Sequence, residues 1–147
     1  MATVEAARQK VERILAAAYS NVVLTEDGFK IERGSTAVFI LVKDFGQDSD
    51  GDPSSIVHLW APVARGLKPT PEFYHWAATE GRSKYVGGIT VTDRDDGTCH
   101  VVFDHAILAD YLDPAELTSA ISLVLRGADA YDDVIQSRFG GKRYTDP

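Results

Sequence analysis

The chain has a single cysteine, Cys99, which excludes an internal disulfide framework and fits a reducing compartment, so the expected location is the cytoplasm. It is poor in positive charge: 15 lysines and arginines against 22 aspartates and glutamates leave a net charge of −7. With no basic stripe to meet phosphates, nucleic acid is not an expected partner. Long apolar runs are also lacking, and nothing approaches the roughly 20 residues of a membrane span. The opening MATVEAARQKVERILAAAYS is broken by charges and has no signal-peptide core, so no membrane partner is expected. No Gly-x-Ser-x-Gly elbow, glycine-rich phosphate loop or His-x-x-x-His pair occurs. The 147 residues are enough for one domain with a real hydrophobic core.

What the chain does have is sharp punctuation. Thr70-Pro71 and Asp113-Pro114 each place a capping oxygen before a proline that has no amide hydrogen to leave unpaired, so each predicts a helix start. Those helices are expected over Pro71 to about Glu80 and from Pro114 to Phe139, where Gly140-Gly141 stops the second. Gly127 weakens its middle. A first helix, capped by Thr3, is predicted to about Tyr19 from the spacing of Val4, Ala7, Val11, Ile14 and Leu15. Asn21 to Glu26 is ambiguous. Phe29 to Glu32 alternates as a half-buried strand, and Thr36 to Val42 is apolar on both faces, as a central strand covered on both sides. Asp44 to Ser54 reads as an exposed loop, Ile56 to Val63 as the third strand, and Tyr85 to Thr92 with Cys99 to Asp104 as a hairpin. Lys142 to Pro147 is expected to be a loose tail of a single 1–147 domain.

Reactive constellations are few. Asp48, Asp50 and Asp52 alternate like calcium ligands, but Pro53 stands where that loop needs glycine and no glutamate closes it. Asp93, Asp95 and Asp96 lack the same partner, so both clusters read as solvated turns and no metal is expected. Cys99 sits in an apolar strand, as a small buried hydrophobe does. His58, His75, His100 and His105 are scattered; His58 and His100 would meet only if their strands were neighbours. Gly87-Gly88 lies at a strand and reads as a bulge or a close backbone approach. No catalytic residue and no cofactor is indicated.

Aromatic side chains are the unusual feature. Phe39, Trp60, Phe73, Tyr74 and Trp76 crowd one third of the chain. Simple core accounts for part of them. A short helix carrying Phe73, Tyr74 and Trp76 together is hard to bury in one thin layer, and these residue types are enriched where proteins meet. They are therefore expected to form a homodimer contact.

The runs VHLWAPVARGLKPTPEFYHWAATEG, VVFDHAILADYLDPAELTSAI and SRFGGKR, in this element order, resemble the small bacterial YbjN-like proteins, which share the fold of the type III secretion chaperones. The resemblance covers about Phe29 to Gly141. It implies an α+β fold, α-β-β-β-α-β-β-α, with a curved antiparallel sheet and helices packed on it. It also implies a non-enzymatic, chaperone-like or regulatory domain, homodimeric, that holds a client protein or peptide segment. The residues support the same class: surplus aromatics and sheet edges suit a guest strand or helix laid onto sheet and groove. Phe39, Leu41 and Trp60, on adjacent strands, are the candidate partner contacts; burial as core under the first helix is the other reading of all three. The competing function is a small-molecule-sensing or enzymatic domain with a pocket near the second helix, using His58, His100 or His105.

Overall fold

Each helix starts where a side-chain oxygen satisfies a free amide. In the computed structural model, which describes residues 3–82 and 86–147, Thr3 caps α1 (Val4–Ala18), Thr70 caps α2 (Pro71–Glu80) and Asp113 caps α3 (Pro114–Phe139). The cap oxygens accept from Ala6, Phe73 and Glu116 amides at 3.2, 3.1 and 2.7 Å. Between the helices run β1 (Val22–Leu24), β2 (Phe29–Arg33), β3 (Thr36–Gln47), β4 (Pro53–Leu67), β5 (Gly88–Asp93) and β6 (Cys99–Leu108). The ambiguous segment after α1 is thus a short extra strand, and the order is α-β-β-β-β-α-β-β-α. Tyr85, the expected start of β5, lies outside the described residues.

The six strands form one antiparallel sheet in the order β1-β2-β3-β4-β6-β5. β3 and β4 extend into the stretch expected to be a loop, leaving only residues 48–52 as the turn. Asp48 closes that turn by accepting from the Asp50 and Asp52 amides at 2.9 and 3.0 Å, so its carboxylate is used by its own loop. Register shifts between Pro62 and Ala64, and again before Leu67, bend β4 and carry its end past β3.

All three helices lie on the same side of the sheet. Strand residues one apart face opposite ways, and Phe29, Ile31, Val38, Ile40, Val57, Leu59, Ala61, Val63, Val101 and Phe103 belong to the buried cluster that includes α1 and α3. The Arg8 guanidinium of α1 sits 5.7 Å from the Phe29 ring centre on that side. α2 packs against the end of α3 instead of standing over the sheet: Phe73 meets Phe139 at 5.2 Å, and Trp76 meets Tyr131 and Phe139 at 6.0 and 5.4 Å. The expectation that β3 is covered on both sides is therefore corrected, because no helix among the described residues reaches the other face.

The expected loose tail is also corrected. Gly140 and Gly141 take φ of 79° and 86°, a left-handed backbone that turns the chain sharply off α3. Lys142 then pairs with Arg65 on the bent end of β4 through two backbone hydrogen bonds of 2.9 Å. Arg143 reaches Asp132 and Asp133 at 3.2 and 3.3 Å.

Candidate functional site

The face without helices is built by strand register. One row crosses the sheet from Lys30 through Phe39, Trp60 and Asp104 to Gly88. The next row holds Leu41, His58 and Ala106, and a third Lys43, Ile56 and Leu108. Phe39, Leu41 and Trp60 thus share one face, half-buried, on the side opposite α1, so they are not core beneath that helix. Phe39 and Trp60 stack with ring centres 4.2 Å apart and planes 11° from parallel. Leu108 and Val23, at 55% and 48% exposure, extend apolar surface towards the rim.

Tyr144, from the segment after α3, stands edge-on to Phe39 with centres 6.4 Å apart. Together with Trp60, Pro62, Ala64, His100 and Val102 they line an apolar pocket of about 250 Å³. Burial and the Arg94 and Arg65 guanidiniums hold His100 below the usual imidazole range. Sequence reasoning missed Tyr144; a lone aromatic in an otherwise polar tail was the available signal.

Polar groups on this face are paired. His58 Nε2 lies 3.0 Å from Asp104 Oδ2, and its Nδ1 faces the Lys43 ammonium at 3.4 Å. An ammonium only donates, so the ring accepts at Nδ1 and donates from Nε2. Thr90 donates to the other Asp104 oxygen at 3.0 Å. Burial works against the Asp104 charge, but the hydrogen bonds from His58 and Thr90 outweigh it and hold the carboxyl below the usual range.

The other sequence candidates fall elsewhere. Phe73 is fully buried and Trp76 is 4% exposed, both covered by α3 of the same chain. Of the three α2 aromatics only Tyr74, at 42%, meets solvent, and its hydroxyl donates to Asp93 at 3.0 Å. His58 and His100 are not brought together: the first pairs with Ala106, the second with Thr92. His105 does join His58 and Asp104, in a cleft beside Ala77 and Gly81 at the end of α2. Among the described residues the lining of that cleft carries no serine or cysteine, and His58 is committed to Asp104. A larger groove, on the helix side, runs between α3 and the β2 edge past Tyr19, Asn21, Glu32, Arg33, Ser122 and Arg126. Its parts are far apart in sequence, and no local pattern announces it. Among the described residues no three histidine, cysteine or acidic side chains converge as a metal site, and no helix is long and apolar enough to cross a membrane.

The architecture is an antiparallel sheet backed by helices on one face, with short edge strands. The same fold is seen in the Yersinia pestis type III secretion chaperone SycH, solved in complex with a stable fragment of YscM2. The two superpose with a TM-score of 0.51 at 11% identity, over 84% of this chain and 98% of SycH. Residues 5–147 match the family TY-Chap1, described as T3SS (YopN, CesT) and YbjN peptide-binding chaperone 1. The chain belongs to that family and is a peptide-binding chaperone domain. No curated protein sequence matches it.

Proposed function

We propose that the protein is a non-enzymatic chaperone that holds an extended client segment on the helix-free face, through Phe39, Leu41 and Trp60. The observation that carries this reading is the Phe39–Trp60 stack, two large rings left half-exposed beside an apolar pocket. Rings held in place by strand register lose little freedom on binding, so they make good anchors for a client side chain. Short β1, with Val23 and Leu24 exposed, offers a free edge where the client backbone pairs as a guest strand. The acidic chain favours clients carrying basic residues.

The working form is a homodimer in the cytoplasm. Tyr74 is the α2 aromatic available to a second copy, since Phe73 and Trp76 serve the interior. The SycH complex, in which a chaperone of this fold holds a partner fragment, supports a protein client.

The test is a peptide array probed with the parent chain and with Phe39→Ser/Trp60→Ser. Peptides rich in aromatic and aliphatic residues are expected to bind the parent and to lose at least tenfold with the double variant, while circular dichroism is unchanged. Equal binding by both proteins would place the client elsewhere.

A further inference from the structure

The pocket beside Phe39 and Trp60 is walled on one side by Tyr144 from the same chain, and the way that wall is held describes what fits there. β4 continues past the start of β3, so its end, around Arg65, has no β3 residue beside it. Lys142 takes that place with the two reciprocal backbone hydrogen bonds of an antiparallel pair. Beyond the bridge the chain turns, with the Asp146 N–H donating to the Arg143 carbonyl at 3.2 Å, so that Arg143 reaches α3 and Tyr144 stands beside Phe39 on the helix-free face. One backbone bridge, one aromatic ring in an apolar pocket and basic neighbours are the elements of guest-strand recognition, made here in cis.

The hold on this segment is mostly polar. Gly140 and Gly141 form a permissive joint, and Gly140, Gly141, Lys142, Thr145 and Pro147 are all exposed. Apart from Tyr144, the attachments to the rest of the fold are polar, Arg143 to Asp132 and Asp133 and Arg65 to the Asp146 carbonyl, while Arg143 N–H to Asp146 at 2.9 Å and Lys142 to the Pro147 carbonyl at 2.7 Å lie within the segment. A segment with so little buried apolar surface belongs to the least stable part of the fold and opens locally at small cost.

We infer that residues 142–147 act as a displaceable strap across the client seat, and that the client is a peptide segment placing an aromatic side chain two residues beyond the one that pairs with Arg65. This rests on the reading of the helix-free face as the client surface. Because the strap is tethered, its effective concentration is high and it sets a threshold: weak segments are excluded, and segments that pair better at Arg65 or fill the pocket more fully displace it.

The test uses the full chain and a labelled peptide, GGKRYTDP, copied from residues 140–147. Fluorescence anisotropy is measured with the parent, Tyr144→Ala and Arg143→Ala. Tyr144→Ala removes that wall of the pocket, and the peptide is expected to bind the variant at least tenfold more tightly than the parent. Arg143→Ala leaves the ring but loosens the strap, giving a smaller gain. A peptide with alanine in place of its tyrosine is expected to bind none of the three. Equal binding by parent and Tyr144→Ala, or binding that ignores the peptide tyrosine, would overturn the strap. If array peptides bind parent and Tyr144→Ala alike but still need Phe39 and Trp60, the strap falls and the client face stands. If no peptide binds either protein, both fall.

Discussion

Gly127, in the middle of α3, is where helix propensity and packing make opposite predictions. Replacing glycine by alanine inside a helix ordinarily adds about 1 kcal/mol of stability. Here a Cβ at Gly127 would lie 2.5, 2.6 and 2.8 Å from three atoms of the Phe103 ring, well inside van der Waals contact. The ring has little freedom to retreat. Tyr131 stacks on it with centres 5.6 Å apart, and the Gly87 backbone approaches so closely that a Cβ there would stand 2.8 Å from the ring. Overpacking of this kind costs about 1–3 kcal/mol. The balance for Gly127→Ala is therefore a loss of about 1 kcal/mol. The assay is urea unfolding of Gly127→Ala, Phe103→Leu and the double variant. With the smaller leucine in place, the same alanine is expected to stabilise by about 1 kcal/mol, a coupling of about 2 kcal/mol between the sites. If Gly127→Ala stabilised the parent by that amount, the close contact between α3 and β6 would be refuted.

Two further outcomes are expected. The folded-state pKa of Asp104 is depressed, so its pairing with His58 and Thr90 contributes stability above the ordinary carboxylate range and loses it as pH falls through the folded value. Asp104→Asn should cost about 1 kcal/mol at pH 7 in urea melts, and the gap should narrow below about pH 4; a gap constant into acid would contradict the pairing. On α2, Phe73→Ala removes a fully buried ring and should cost about 3–5 kcal/mol, whereas Tyr74→Ala should change folding by less than about 1 kcal/mol. Light scattering then separates association from folding, because only the tyrosine change should weaken a dimer without unfolding the chain.

The candidate contact residues were partly legible in advance. Phe39, Leu41 and Trp60 stand out as large apolar residues on neighbouring strands, and alternation places them on one face. Alternation does not say whether a helix covers that face. A run apolar on both sides, like Thr36 to Val42, reads as fully covered, while here the second apolar side is open to solvent and to Tyr144. The α2 aromatics show the converse. Phe73 and Trp76 read as surplus beside a short helix, but α3 is long enough to lay Tyr131 and Phe139 against them.

Local chemistry, then, determined the elements. The three caps, the proline starts, the glycine stop after α3 and the two-residue alternation all act over a few residues, and each is written in the chain itself. Only the tertiary structure decided which side of the sheet the helices cover, that His58 meets Asp104 and not His100, and that Tyr144 returns to Phe39. Those choices depend on contacts between residues dozens of positions apart, set by the bend in β4 and by where each connection lands, and no short-range pattern encodes them.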